Sequence, residues 1–312
     1  MQLHSERPSL ANRTRVSRSI PRRLVAEGKL HLLPVYALLR TSDLAREGIE
    51  NSGSFRFADH IYRAKPSGRY GVGALLDGIL LKLRGARSMR SRFFHSQREI
   101  HSVLHPWGHA ADAPTADADN TFVLSVPCGI ARDLFEVAEN LLKYHPAVYE
   151  RVRFIGIDLD PTPIELSREL TRDHPNFSFW QADALQPSCL PQGVDAIVSL
   201  GFGEFLDDDQ LLDFYRNCHS ALRKGGRFIT SAMSRDRIGD YLARELAELH
   251  THYRTSAQLT GLLQAAGFDY VRAEPDTVGL QTLAVATKGR GASGLAGGSE
   301  GRRDIQATTE ER

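Results

Sequence analysis

Three carboxylates in the middle of the chain each follow a short apolar run, which suggests ligand binding or proton transfer. Asp158 ends "RFIGID", Asp183 follows "FSFWQA", and Glu204 follows "AIVSLGFG". Apolar runs of this length predict buried strands, and ligands bind where the carboxyl ends of parallel strands meet at one sheet edge. There, a carboxylate can accept hydrogen bonds from the hydroxyls of a ligand, act as a base or pair with a cation.

The segment "VLSVPCGIARDLFEVAENLL", residues 123–142, predicts a strand, a tight loop and a helix. This unit binds nucleotides at the N-terminus of its helix. The loop contains one glycine, Gly129, where nucleotide-binding loops usually have two or three. Pro127 fixes its own φ and removes an N–H donor, and Cys128 is predicted to be a small buried residue rather than a nucleophile. The loop is therefore expected to hold its ligand in an altered way.

Composition narrows the class of protein. Of the 312 residues, 41% are hydrophobic and 25% are charged, which is ordinary for a globular protein. No apolar run approaches the roughly 20 residues of a membrane helix, and the arginine-rich N-terminus shows no apolar signal core. The three cysteines, Cys128, Cys189 and Cys218, lack metal-ligand spacing, so we predict no metal site and a cytoplasmic protein.

The chain divides into five segments. We predict a disordered basic tail at 1–22, a helical segment at 23–105, a linker at 106–120, a strand–helix domain at 121–288 and a disordered tail at 289–312. Residues 1–105 contain 19 Lys/Arg and 8 Asp/Glu, whereas the rest of the chain contains 20 and 30. The basic part is expected either to clamp an acidic ligand or nucleic acid, or to dock on its acidic neighbour.

The strand–helix domain predicts an α/β fold with a doubly wound, seven-stranded, mostly parallel sheet. Helix-period segments lie between the first five predicted strands. The last two strands have only a short connection, so we predict an antiparallel pair at one edge of the sheet. The predicted strands are Phe122–Val126, Val152–Ile157, Phe177–Trp180, Ala196–Leu200, Arg227–Ser231, Tyr270–Ala273 and Thr282–Ala286.

Residues 121–288 resemble the class I S-adenosylmethionine (SAM) dependent methyltransferases, which have a Rossmann-like fold. The landmarks, in the family's order, are the loop described above, "FIGIDLDPTPIELSREL", "FSFWQADAL", "DAIVSLGFGEFLDDDQLLDFYRNCHSALRKGGRFITSA" and "YRTSAQLTGLLQAAGFDYVRAE". The family's loop usually has the pattern acidic-x-Gly-x-Gly-x-Gly, and the matching positions here are Ser125, Pro127, Gly129 and Ala131. The resemblance implies a SAM-using transferase whose loop departs from the usual glycine pattern.

The resemblance also implies a cofactor site at the carboxyl ends of the strands. Its residues are Pro127, Cys128 and Gly129 in the loop, Asp158 and Leu159 at the ribose, Asp183 and Ala184 at the adenine, and Ser199 near the reactive methyl. Arg132 and Asp133 are candidates to bind the cofactor's carboxylate and amino group in place of the usual glycine-rich backbone. The alternative for both is a solvated first helical turn, where the helix dipole favours an Asp.

Candidate catalytic residues come from two places. Glu204 follows the fourth strand, where the family's residues face the methyl group; the alternative is an acid at a helix N-terminus. Tyr62 and Tyr70 lie in "HIYRAKPSGRYGVG" of the helical segment, which in the family's small-molecule members forms a lid. Their rings are candidates to hold the sulfonium by cation–π contact, and packing against the main domain is the alternative.

Three functions remain open from the sequence. The first is a methyltransferase that acts on a small molecule. The second is an enzyme that transfers or cyclises the 3-amino-3-carboxypropyl arm of SAM, since the unusual loop lies beside that arm. The third is a non-catalytic SAM- or RNA-binding module, which the absence of aromatic-rich RNA motifs disfavours. We therefore expect a small-molecule substrate, with neither nucleic acid nor membrane as a partner, and leave the oligomeric state open.

Overall fold

The computed structural model describes residues 19–68, 71–104 and 120–289. The N-terminal part is helical. Helix α1 covers residues 19–26, and the helices that follow are α2 (Leu32–Leu39), α3 (Asp43–Glu50), α4 (Phe55–Arg63), α5 (Val72–Leu80) and α6 (Arg84–Leu104). Ser42 and Ser54 begin α3 and α4, and each hydroxyl accepts a hydrogen bond from a first-turn amide, as an N-cap serine does.

The rest of the chain alternates strands and helices. Its strands are β1 (Thr121–Ser125), β2 (Val152–Asp158), β3 (Phe177–Gln181), β4 (Val194–Ser199), β5 (Leu222–Met233), β6 (Tyr270–Pro275) and β7 (Gln281–Thr287). Its helices are α7 (Arg132–Tyr144), α8 (Pro146–Tyr149), α9 (Pro161–Leu170), α10 (Asp208–Ala221), α11 (Arg237–Ala247) and α12 (Ser256–Ala265). Helix α9 is capped by Asp160, whose side chain accepts from the Thr162 N–H.

The sheet confirms the predicted fold class. Its seven strands lie in the order β3-β2-β1-β4-β5-β7-β6. The pairs among β1 to β5 are parallel, whereas β7 is antiparallel to both β5 and β6. The predicted antiparallel pair therefore forms one edge of the sheet, next to β5.

Both faces of the sheet are covered. On one face, helices α6 and α7 pack through residues such as Ile100, Leu134 and Leu141 against Val123 and Phe154. On the other face, the buried residues of α10 and α12 include Phe214, Tyr215, Leu259 and Leu263. Helix α6 thus belongs to the sheet layer at its C-terminal half, so the predicted lid segment 23–105 is not a separate body along its whole length.

One expected helix is missing. The connection from β3 to β4 contains only a 3₁₀ turn at Pro187–Cys189, because Pro187, Pro191 and Gly193 interrupt any longer helix. The sheet is left partly open there, and Trp180 and Phe122 are 42% and 36% exposed. They line a groove of about 390 Å³. It lies at the amino ends of the strands, away from the edge where the predicted site residues meet.

Helices α1 to α5, together with α11, form a layer that we call the helical cap. Its buried residues fall in two clusters, one of which joins Ile20, Leu24 and Tyr36 to Leu246 of α11. Ile20 is fully buried, so the predicted tail ends before residue 22. Residues 1–18, 105–119 and 290–312 lie outside the described parts, and with them all but the last residue of the predicted linker 106–120 and all but the first residue of the predicted tail 289–312. Among the described residues, no helix is both long enough and apolar enough to span a membrane.

Candidate active site

The loop after β1 is held by the end of β2. Gly129 has φ +51°, a conformation that glycine adopts readily. Its N–H donates to Asp158 Oδ2 at 2.9 Å, and the N–H of Asp160 donates to Asp158 Oδ1 at 3.0 Å. Asp158 is 6% exposed. The carboxylate predicted for the ribose therefore also fixes the backbone of the loop beside it.

Helix α9 contacts the same loop through the side chain of Ser167. Ser167 is buried, accepts from the Ala131 N–H and donates to the Gly129 carbonyl, both at 3.1 Å. Burial raises the pKa of the Cys128 thiol well above its ordinary value, so the sulfur is a protonated packing group. A single glycine suffices because side-chain hydrogen bonds, rather than further glycines, hold the turn.

The other predicted cofactor residues lie along the same edge of the sheet. Leu159 is 55% exposed just beyond β2. Asp183 Oδ1 accepts from the Leu185 N–H at 3.0 Å, and Ala184 is buried next to it. Ser199 ends β4, and its carbonyl accepts from Thr230 Oγ1 at 2.9 Å. The carboxyl ends of β1, β2, β3 and β4 thus bring together residues that are far apart in the chain.

Arg132 and Asp133, at the start of α7, have different partners. Arg132 Nε donates to Asp59 of α4, so its partner is a protein carboxylate. Asp133 accepts from the Leu134 N–H at 2.9 Å, and no Lys or Arg of the described residues pairs with it. The residue as a whole is half-buried, and burial of its carboxyl raises the pKa of that group from 3.8 to about 6. A carboxylate without a cation in such a position suits the ammonium group of a ligand.

Two of the three candidate catalytic residues meet at one arginine that the sequence alone does not single out. Arg92 of α6 donates from Nε to the Tyr62 hydroxyl at 3.2 Å and from Nη1 to Glu204 Oε1 at 3.1 Å. Arg92 and Glu204 are 5% and 7% exposed. Burial raises the pKa of the Glu204 carboxyl, and Arg92 opposes that rise. Glu204 is thus a buried member of an ion pair rather than an exposed acid. The third candidate, Tyr70, lies outside the described residues, as does Arg69.

A second buried arginine fixes the loop after β4. Arg254 is 4% exposed and donates to the carbonyls of Gly203 and Leu206, both at 2.7 Å. Neither Arg92 nor Arg254 carries a signal in the sequence, because the partners of each are set only by the fold. Arg92 lies against Gly201 and pairs with Glu204, and Arg254 donates to Gly203 and Leu206, so together they hold the segment 201–206.

Helix α4 of the helical cap bridges the two loops. A methyl group added at Gly129 would lie 3.3 Å from Phe55 Cβ, and one added at Gly53 would lie 2.8 Å from the ring of Phe205. The Ser52 hydroxyl also donates to the carbonyl of Ala247 in α11 at 2.5 Å. The start of α4 therefore lies between the loop after β1 and the turn after β4, directly over this edge of the sheet.

The side chains at this edge suit SAM. Asp158 is a buried carboxylate that can accept hydrogen bonds from the ribose hydroxyls of SAM, and the glycine turn beside it lets the backbone approach the cofactor closely. Asp133 has a carboxylate without a cation, which matches the ammonium of the methionine arm. No cluster of metal-ligating side chains occurs in the described part of the chain.

Comparisons with known proteins agree with this geometry. Residues 124–228 match a family model described as a methyltransferase domain. A search of curated proteins found no significant match. A possible exported protein from Bordetella parapertussis has a similar structure, with TM-score 0.72, 21% identity, and 93% of this chain and 99% of that chain covered. The CMeT domain of the citrinin polyketide synthase aligns with TM-score 0.52 and 13% identity over 79% of this chain and 68% of its own.

At these identities the two solved structures establish the fold, and the sequence match adds the methyltransferase domain itself. The matched residues include the loop after β1, Asp158, Asp183 and the segment after β4. The chain therefore contains a methyltransferase domain, which implies SAM as its cofactor.

Proposed function

We propose that this protein transfers the methyl group of SAM to a small molecule, in a site closed by its helical cap. The observation that carries the proposal is the position of the N-terminal end of α4, where Phe55 lies against Gly129 and Gly53, just before the helix, lies against Phe205. A macromolecular acceptor needs an open face at the carboxyl ends of the strands. A cap over that face leaves room for a small acceptor and excludes water from the reacting groups.

The chain's own residues have separate roles in this proposal. Asp158 and Leu159 would hold the ribose, Asp183 and Ala184 the adenine, and Asp133 the ammonium group. Pro127, Cys128 and Gly129 would form the floor beneath the sulfur, and Ser199 would lie beside it. The cofactor, when bound, supplies an electrophilic methyl group. The protein would align an acceptor with that group and remove its proton if it has one.

Tyr62 is the proton acceptor or sulfonium contact that we favour. Tyr62 as a whole is half-buried, its hydroxyl accepts from Arg92 Nε, and its ring stacks on Phe93 with 4.4 Å between the centroids. Glu204 already accepts from Arg92 and, at 3.5 Å, from Gln281 Nε2. We therefore propose that Glu204 positions Arg92 and the loop after β4.

The experiment is an isotope-tracing assay. Purified protein is incubated with SAM labelled in the methyl group and with a cell extract split by ultrafiltration into small molecules and macromolecules. We expect the label in the small-molecule fraction together with S-adenosylhomocysteine, and no transfer by the Asp158→Ala variant. Label confined to the macromolecular fraction would contradict the small-molecule proposal while leaving the methyltransferase assignment in place.

One observation supports a second candidate function, transfer of the aminocarboxypropyl arm of SAM. Arg132, at the methionine end of the site, is paired with Asp59, so that end is built differently from what the glycine pattern of the family implies. The same assay separates the two reactions, because arm transfer leaves methylthioadenosine with the label still attached.

We also propose that the reaction takes place in the cytoplasm. The three cysteines are unpaired, and Cys128 and Cys218 are buried, as is usual for proteins of a reducing compartment. Cell fractionation with an antibody against the chain tests this, and recovery outside the cytoplasm would contradict it.

A further inference from the structure

One edge of the Arg92 guanidinium group makes no hydrogen bond to the described residues. Nε and Nη1 donate to Tyr62 and Glu204, while Nη2 has no hydrogen-bond acceptor among the described residues. In the described part of the chain, Nη2 is not one of the fully buried side-chain atoms that lack a hydrogen-bond partner. It therefore borders solvent-accessible space, although Arg92 as a whole is only 5% exposed. A buried arginine with an open donor is costly unless a ligand or water completes it.

The open edge lies against the loop after β4. A methyl group added at Gly201 would lie 2.8 Å from both Nη1 and Nη2 of Arg92. Gly201 has φ +73°, so both its conformation and its neighbour require glycine. The absence of a side chain lets the guanidinium reach the backbone at the carboxyl end of β4. That position borders the proposed methyl-transfer site.

The surrounding charges fit an anion. Glu204 neutralises one positive charge, and the sulfonium of the cofactor would add another to the same enclosed volume. The other arginines described at this edge already have partners: Arg132 is paired with Asp59, and Arg254 donates to the carbonyls of Gly203 and Leu206. The planar fork of an arginine matches a carboxylate better than other anchors do.

We propose that Arg92 is a carboxylate-binding residue of the active site, with Nη2 as the donor that meets the ligand. The inference rests on the proposed function. The carboxylate has two chemical sources, the amino-acid arm of the cofactor and an acidic acceptor, and the experiment separates them.

The experiment measures binding by calorimetry to the full chain, and its main variant keeps the buried charge balanced. Arg92→Gln combined with Glu204→Gln removes both charges together, because a lone buried carboxylate would strongly destabilise the fold. Glu204→Gln alone is the matched control that keeps Arg92, and Arg92→Lys keeps the charge without the fork. The probes are S-adenosylhomocysteine and methylthioadenosine, which lacks the carboxylate. Benzoate and its neutral analogue benzamide are then titrated into protein loaded with S-adenosylhomocysteine.

Two results support the proposal. If the double variant binds S-adenosylhomocysteine about tenfold more weakly, and methylthioadenosine unchanged, Arg92 holds the arm of the cofactor. If S-adenosylhomocysteine binding is unchanged but an approximately tenfold preference for benzoate over benzamide disappears, Arg92 holds the acceptor. In both cases Glu204→Gln should keep the discrimination and Arg92→Lys should recover part of it.

Two other results overturn it. Equal weakening of S-adenosylhomocysteine and methylthioadenosine would mark Arg92 as a structural residue only. Unchanged discrimination between each charged and uncharged pair would show that no carboxylate meets Nη2. Wild-type protein that binds neither nucleoside would instead refute the cofactor assignment on which the proposed function depends.

Discussion

Replacing Asp133 with asparagine should stabilise the protein at neutral pH and weaken its binding of the cofactor. The carboxyl lies at the start of α7 and has no cationic partner among the described side chains, and burial raises its pKa from 3.8 to about 6. Asparagine has nearly the same shape, and its Oδ1 can still accept from the Leu134 N–H. The substitution therefore removes mainly the charge.

The magnitude and its pH dependence follow from linkage. Because the folded-state pKa is raised, the contribution of Asp133 to stability is fully present below about pH 3.8 and is lost as the pH rises through about 6. A rise of this size corresponds to about 3 kcal/mol above pH 7 and to roughly half of that at pH 5. Asp133→Asn should thus be more stable than wild type, with a gap that widens between pH 5 and pH 7.5.

Thermal unfolding across that pH range measures the stability gap. At about 2–4 °C per kcal/mol for a chain of this size, we expect an increase in Tm of roughly 6–12 °C at pH 7.5. Asp209→Asn is the matched control, because Asp209 is an exposed carboxylate in the first turn of α10 and tests the helix dipole alone. Calorimetry with S-adenosylhomocysteine should show about 10- to 100-fold weaker binding by Asp133→Asn, the value of a hydrogen bond to a charged group.

A variant that is more stable than wild type but binds S-adenosylhomocysteine more weakly would identify Asp133 as a ligand-binding residue that lowers stability. An unchanged Tm at every pH would refute the burial argument. A stabilised variant with unchanged affinity would refute the pairing with the ammonium group and leave Asp133 as an ordinary first-turn acid.

Four further predictions follow from named contacts. Asp158→Ala should weaken S-adenosylhomocysteine binding by roughly 1.5–3 kcal/mol, and unchanged affinity with an intact fold would remove the ribose assignment. Gly156→Ala places a Cβ 2.5 Å from Phe179 Cδ1 and should destabilise the protein by about 1–3 kcal/mol in denaturant unfolding, whereas a second substitution, Phe179→Leu, should recover part of the loss. Ile20→Ala should lower the free energy of unfolding by roughly 2–4 kcal/mol, and a negligible change would show that α1 is not part of the core. Hydrogen exchange around residues 51–73 should slow when S-adenosylhomocysteine binds if the helical cap acts as a lid; high protection that is identical with and without ligand would make it a permanent scaffold.

The fold of residues 121–288 was predictable because it depends on local signals. Strands such as "RFIGID" and "DAIVSL" are short apolar runs buried on both faces, and the connections between them mark helices or turns. The antiparallel edge pair followed from a connection too short for a crossover. The expected helix between β3 and β4 does not form, because Pro187 and Pro191 interrupt it, although strands and helices alternate in most of the domain.

The helical cap was less predictable, because its boundaries depend on packing. Ile20 stands in a polar, arginine-rich stretch, yet it is fully buried against α11, more than 200 residues away in the chain. No local pattern specifies such a contact, since a single isoleucine among arginines is typical of a disordered tail.

The positions of Asp158, Asp183 and Glu204 after their strands could be predicted from the sequence alone, because parallel strands bring their carboxyl ends to one edge of the sheet. The partners of these residues could not. The fold joins Arg92 to Glu204 across 112 positions and Asp59 to Arg132 across 73. A long, flexible side chain in a basic stretch has many partners within reach, and only close packing of the cap against the sheet selects one of them. The sequence by itself thus determined the sheet and the edge at which we propose that the cofactor binds, whereas the tertiary structure decided which charges are paired there and which group, on Arg92, we propose to meet a ligand.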